Sequence, residues 1–258
     1  MSEAFAHSWY MVGRQARNLF REPIWIVMML IQPMIWLLLF GALFKSIANI
    51  PGFRGGSYIE FLTPGLIVML AISSAGWSGM AYIEDMSIGV MDRFLVSPIW
   101  RGALNAGSVA QQVIIIALQS LIVAGLSLAV GGHFPNGPGG VAILIGVSAL
   151  LGASFASLSN ALALVVRQRE SLIGAVTSVT LPLTFLSTAF MQQTLVPGWI
   201  RWVARFNPVN WAVEAGRSAA TQHTDWNLVG TRTGLLAALL LVSAWLATRS
   251  FRSYQRSI

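Results

Sequence analysis

The chain has 258 residues, 55% hydrophobic and only 10% charged, with a formal net charge of +7. A water-soluble domain carries roughly a quarter charged residues to wet its surface. That excludes a soluble globule and points to a bilayer, where lipid-facing surface needs no polar coat. The basic residues sit mainly at the ends of apolar runs rather than in one broad patch, which marks membrane topology and argues against a nucleic-acid partner. Cysteine is absent, and His7, His133 and His223 lie far apart, so neither a disulfide framework nor a metal site is expected.

In chain order, residues 8–22 come first. Trp9, Val12, Ala16, Leu19 and Phe20 fall near one helical face and Arg14, Arg17 and Arg21 on others, which predicts an amphipathic helix lying in the membrane interface. Six apolar stretches of spanning length follow, at 24–44, 61–83, 104–130, 141–166, 172–191 and 228–248. The first starts too far from the N-terminus, and runs too long, for a cleaved leader. The first five contain no Asp, Glu, Lys or Arg, and the sixth has Arg232 one turn inside its start. Pro51, Gly52, Gly55 and Gly56 mark the first loop, and Gly131 to Gly140 with Pro135 and Pro138 mark the third. Only the charged turn at 167–171 separates the fourth and fifth spans. One membrane domain, 1–258, is the economical reading.

Orientation follows from Lys and Arg. Ten basic residues fall on the side of the N-tail, second loop, fourth loop and C-tail; the other side holds Lys45, Arg54, Arg201, Arg205 and Arg217. Both termini are therefore expected in the cytoplasm.

Polar residues inside the spans mark candidate cargo-facing stripes. They are Met69, Ser73 and Trp77 in the second span, Ser108, Gln112 and Gln119 in the third, and Thr177, Thr180 and Thr184 in the fifth. Small polar groups in an apolar wall suit an amphiphilic ligand. The same residue types also hydrogen-bond between helices or to their own backbone. Gly152 and Ala156, at small-xxx-small spacing, read as helix packing.

The second loop, 84–101, carries Ile88, Met91, Leu95 and Ile99 at helical spacing before Ser97-Pro98 breaks the run. Such a short amphipathic helix suits docking on a cytoplasmic partner. Its Glu84-Asp85, Gly89, Asp92-Arg93, Ser97-Pro98-Ile99 and Arg101 resemble the signature loop of type-2 ABC transporter permeases, particularly the daunorubicin-resistance type. Pro197-Gly198-Trp199, Asn207-Pro208, Glu214 and Arg217 resemble a later part of the same family, in the right order. The resemblance implies an exporter's membrane subunit whose second loop is a coupling helix, with Glu84, Asp85, Gly89, Met91, Asp92, Arg93, Leu95, Pro98 and Arg101 receiving force from an ATPase. It also implies that the stretch after the fifth span re-enters the outer leaflet, where Trp199, Trp202, Phe206 and Trp211 suit headgroup depth. The single lysine, Lys45, follows Phe44, so there is no Gly-Lys-Ser/Thr phosphate loop. ATP and magnesium are expected on a separate ATP-binding subunit, with no cofactor and no catalytic residues on this chain.

The resulting expectation is an all-α membrane protein of six spans. It moves a drug, natural product, lipid or lipid-linked glycan out of the cytoplasm as a dimer of permeases, with Glu214 or Arg217 gating the outer side. The alternative is an ATP-independent secondary transporter or membrane scaffold. A carrier of that kind usually places an ionisable residue at mid-membrane depth, which the first five spans lack, and no inverted repeat is visible.

Overall fold

Backbone in hydrocarbon must satisfy its own amide and carbonyl groups, which an apolar run does most simply as an α-helix. The computed structural model describes residues 23–44, 57–89, 101–192, 194 and 196–255, with side chains other than those of 23–30, 101–103 and 252–255. Every regular element among these residues is helical: α1 (Pro23–Leu43), α2 (Tyr58–Gly76), α3 (Gly79–Ser87), α4 (Arg101–Ala129), α5 (Gly137–Val166), α6 (Arg169–Phe185), α7 (Gly198–Ala204), α8 (Pro208–Ala220) and α9 (Trp226–Gln255). The expected interfacial helix at 8–22 lies outside the described residues.

Four helical segments among the described residues are long and apolar enough to cross a bilayer: Tyr58–Ser87, Leu104–Ala129, Gly137–Val166 and Trp226–Phe251. A 30-residue helix such as α5 is ~45 Å long, enough to span even when tilted. α1 adds the shorter apolar stretch Ile31–Leu43, with Ile35, Leu38 and Leu39 exposed on its outer side.

The centre of the bundle is α5, which touches α2, α3, α4, α6, α8 and α9. Its middle is rich in small residues, with Gly152, Ala153, Ser154, Ala156 and Ser157 all buried. Close approach of this kind suits an environment in which packing, rather than water exclusion, holds helices together. Gly152 packs on Ile116 of α4, and Leu151, Phe155 and Ala156 join Val68 and Ile72 of α2 and Val209 and Val213 of α8 in the main apolar cluster.

Two elements depart from continuous spans. The second span is interrupted at Trp77-Ser78, between α2 and α3. There the Ser159 hydroxyl of α5 donates to the Gly76 carbonyl and accepts the Gly79 amide at 3.0 Å. A side chain inserted into the helical hydrogen-bond ladder is a recognised cause of a sharp break. Gly79 is required, because a Cβ at that position would overlap the Ser159 carbonyl oxygen.

The fifth apolar stretch starts earlier and ends earlier than its hydrophobicity indicates, because α6 stops at Phe185 rather than near 191. The reason lies in α8's N-terminus. Asn207 donates to the carbonyls of Leu183 (2.6 Å) and Leu186 (3.2 Å), while its own oxygen caps Val209. Asn210 accepts both the amide (3.0 Å) and the hydroxyl (2.6 Å) of Thr188. The carbonyls left open at the end of α6 thus find partners on α8, and the chain turns away.

Candidate functional site

The break in the second span opens onto a cavity of about 600 Å³. Ser73, Ser74 and Trp77 of the second span line it, together with Gln112 and Gln119 of α4 and Gln32 of α1. Ser73, Trp77, Gln112 and Gln119 are therefore brought together in one wall. Gln112 donates to the Ser74 hydroxyl at 2.8 Å, whereas the buried side-chain oxygen of Gln119 has no hydrogen-bond partner among the described residues. Trp77 is 43% exposed at the cavity edge. The wall is amphipathic, with amide and hydroxyl groups set among Leu70, Ile115 and the indole.

Ser78 and Ser108, which also line the cavity, belong to a polar cluster that includes the buried Asn105 and Asn160. Ser78 contacts the Ser108 hydroxyl at 3.0 Å and donates to the Asn160 side-chain oxygen at 3.1 Å. The Asn160 amide donates to Asn105 at 3.0 Å and to Ser108 at 3.2 Å. The break in the second span, α4 and α5 are thereby joined through satisfied polar groups, which fix one register in a way apolar packing does not.

The other expected cargo stripe is arranged differently. Thr180 and Thr184 each donate to the carbonyl four residues earlier, at 2.8 Å, and Thr177 is half-buried on the same helix. Met69 packs with Leu37, Tyr58 and Leu62 in an apolar cluster; it is not among the residues lining the cavity.

A second cavity, about 620 Å³, lies at the opposite end of the second span from residues 84–101. Its charged lining is Arg205, Glu214, Arg217 and Arg232. Arg217 is held over the Phe61 ring, 3.7 Å from its centre. It donates to the carbonyls of Phe61 (3.2 Å), Thr188 (3.1 Å) and Ala189 (3.3 Å). Gly65 permits this approach, since a Cβ there would overlap the Ala189 carbonyl. Glu214 pairs with Arg232 at 2.8 Å and accepts from Asn210 at 2.9 Å. Pro197 precedes α7 and Pro208 opens α8, with Asn207 as its N-cap; Trp199 is exposed.

At the other end, Glu84 and Asp85 lie in the last turns of α3, and the Gly89 backbone takes the left-handed conformation just beyond it. Ile88 is 65% exposed. Met91, Asp92, Arg93, Leu95 and Pro98 lie outside the described residues. Arg101 begins α4, and its side chain is not described.

Residues 7–220 match the family described as ABC-2 type transporter. The chain belongs to that family. Its relatives include the daunorubicin resistance ABC transporter permease protein DrrB1 of Streptomyces coeruleorubidus, 28% identical over 98% of this chain and 87% of the relative. Another is the inner membrane transport permease YadH of Escherichia coli K12, 27% identical over 84% of each chain. The protein is thus an integral, multi-pass ABC-2 type permease, the membrane component of an ABC transporter.

Within this ABC-2 permease, sequence reasoning missed Gln32, Ser74, Ser78, Asn105 and Asn160. Gln32 and Asn160 carried a usable signal, as amide side chains inside long apolar runs. Ser74 and Ser78 did not, because nothing local distinguishes a serine in a wall from one back-bonded to its own helix.

Proposed function

We propose that this permease is the membrane-spanning half of an ATP-driven exporter for an amphiphilic cargo: a drug, natural product, lipid or lipid-linked glycan. The observation that carries this reading is the cavity at the break of the second span, whose amide and hydroxyl groups sit beside an indole and aliphatic side chains. Such a wall accommodates a molecule with one polar and one apolar part. Trp77, Gln112 and Gln119 make the first contacts with cargo, and α3 links this cavity directly to residues 84–101. Movement of that loop would therefore shift one side of the cavity.

In this reading two permeases, identical or related, form the path in the cytoplasmic membrane. A separate ATP-binding subunit, carrying ATP and magnesium, sits under the coupling residues Glu84, Asp85, Asp92, Arg93 and Leu95. The chain crosses six times, with α1 and α6 as the first and fifth spans and both termini cytoplasmic. α7 and α8 re-enter the outer leaflet, and Glu214 and Arg217 brace the outer gate. The test is reconstitution with its ATP-binding subunit, using daunorubicin as a fluorescent amphiphile among a panel of lipids. ATP-dependent movement of at least one panel member is expected, reduced severalfold by Gln112→Leu or Trp77→Ala. Cargo movement without the ATP-binding subunit, driven by an ion gradient, would replace this reading with a secondary transporter.

A further inference from the structure

The cavity at the far end of the bundle has an unbalanced charge. Arg205, Arg217 and Arg232 line it, against the single carboxylate of Glu214. Both oxygens of that carboxylate are engaged, one by Arg232 at 2.8 Å and the other by the Asn210 amide at 2.9 Å. Arg217 is held by three neutral carbonyls and the Phe61 ring, and its buried Nε has no hydrogen-bond partner among the described residues. Arg205 is exposed at the rim. Glu60 lies in an adjoining cavity of about 320 Å³ that shares Arg217, where it faces His133 at 3.5 Å.

Three guanidinium groups against one carboxylate, in a concave site, favour an anion able to accept several charge-assisted hydrogen bonds. A phosphate-type group has the geometry for such bonds and the charge to offset the excess. The volume is more than a bare phosphate requires and lies in the range of small-molecule pockets. Exposed aromatic rings lie nearby in sequence, with Trp202 and Phe206 stacked edge to face at 5.4 Å on and just after α7. We infer that this arginine-lined cavity is a binding site for a phosphate-bearing anion, either a lipid headgroup or free phosphate. Arg205 and Arg232 supply the approaching guanidinium groups, and Arg217 supplies fixed charge at the floor. The site is defined by the cavity alone and does not depend on ATP-driven export.

The experiment uses the full-length permease purified in a neutral maltoside detergent, without the ATP-binding subunit. Its thermal unfolding is followed by tryptophan fluorescence. Three probes are titrated at constant ionic strength: dioctanoyl phosphatidic acid, dioctanoylglycerol with the same chains and no phosphate, and sodium phosphate. A saturable rise in unfolding temperature is expected with a phosphate-bearing probe and not with dioctanoylglycerol. Arg205→Gln and Arg232→Gln should each weaken the apparent affinity about tenfold or more. Arg249→Gln, on the far end of α9, should not. A response to phosphatidic acid alone identifies a lipid headgroup site, and an equal response to sodium phosphate identifies a free-phosphate site. The inference is overturned if neither phosphate-bearing probe shifts unfolding, or if Arg205→Gln, an exposed change that leaves the Glu214 pair intact, responds with wild-type affinity. Because no transport is measured, either result leaves the exporter reading to its own test.

Discussion

Ser159 of α5 accepts the Gly79 amide at 3.0 Å and donates to the Gly76 carbonyl, so one hydroxyl occupies both sides of the break in the second span. Breaking a spanning helix frees backbone groups that lipid cannot satisfy. Here a neighbouring helix satisfies them and fixes where the break falls. The break is also where the second span meets the 600 Å³ cavity, through Ser73, Trp77 and Ser78. One packing detail therefore sets both the backbone path and the shape of the wall.

Removing that hydroxyl should have a measurable cost. Ser159→Ala leaves a buried amide and a buried carbonyl without their partner, worth about 1–3 kcal/mol. Gly79→Ala should cost at least as much, because its methyl group meets the Ser159 carbonyl oxygen, and helix separation of this kind costs roughly 1–3 kcal/mol. Thermal unfolding of the purified permease in detergent checks both variants. Wild-type unfolding temperatures for both would show that the break does not depend on this contact.

At the opposite end, Arg217 ties the first turns of α2 to the residues after α6 through the carbonyls of Phe61, Thr188 and Ala189. Arg217→Met keeps much of the apolar volume but leaves these carbonyls short of a donor and Glu214 with less positive charge nearby. A loss of roughly 3 kcal/mol is expected. Arg217→Lys keeps the charge, but a point ammonium cannot reproduce a planar fork shared among three carbonyls, so it should be intermediate. The order wild type, lysine, methionine in unfolding temperature is the checkable outcome. A lysine variant as stable as the wild type would mean that charge, rather than the fork, is what matters.

Much of the helical layout is legible from hydropathy, because long uncharged runs have few alternatives in lipid. The starts of α4, α5 and α9 fall within a few residues of where composition puts them. The early end of α6 was not legible. Residues 186–191 are as apolar as a helix requires, and what stops them is Asn207 and Asn210, some twenty residues on. The break at Trp77-Ser78 was hidden for the same reason, since its cause sits on α5. The cavity was half legible: Ser73, Trp77, Gln112 and Gln119 fall on polar stripes of the second and third spans, but Ser74 and Ser78 are ordinary until tertiary contacts place them. Arg217 was reached through the family resemblance it shares with Asn207-Pro208 and Glu214, while the convergence of Arg205 and Arg232 beside it depends on how α7, α8 and α9 pack.

The short connection between α5 and α6 offers a direct test of orientation. Arg167 lies in it and Arg169 opens α6, and Arg167 takes the left-handed conformation (φ 56°) that ends α5. Ser171 is exposed at the start of α6, donating to Gln168 at 3.2 Å, and the native chain contains no cysteine. A Ser171→Cys variant should react with a membrane-impermeant maleimide only after cells are opened, because basic turns favour the cytoplasmic side. Labelling in intact cells would invert the proposed topology.

The last prediction concerns residues 84–101, which connect α3 to α4. Glu84 and Asp85 sit in the final turns of α3, and Gly89 ends it in a left-handed turn. A push on this loop thus acts on two helices that both line the cavity, α3 through Ala81 and α4 through Ser108, Gln111 and Gln112. The sequence beyond Gly89 alternates apolar Met91, Leu95 and Ile99 at helical spacing with charged Asp92 and Arg93, a pattern that fits an apolar groove with a charged rim. Truncating one buried contact in such a groove costs roughly 1–3 kcal/mol, and reversing a paired charge costs more. Leu95→Ala should therefore weaken binding of the ATP-binding subunit by about tenfold or more, and Arg93→Glu should abolish its co-purification. Both positions fall between apolar spans in the sequence, so both variants should insert at normal abundance. Pro98 acts differently, since proline pushes the residue before it out of the helical region and sets where α4 can begin; Pro98→Ala should alter coupling more than binding. The decisive measurement pairs membrane abundance with co-purification for Arg93→Glu. Normal abundance together with normal binding and full transport would reduce this loop to a helix resting on the membrane surface.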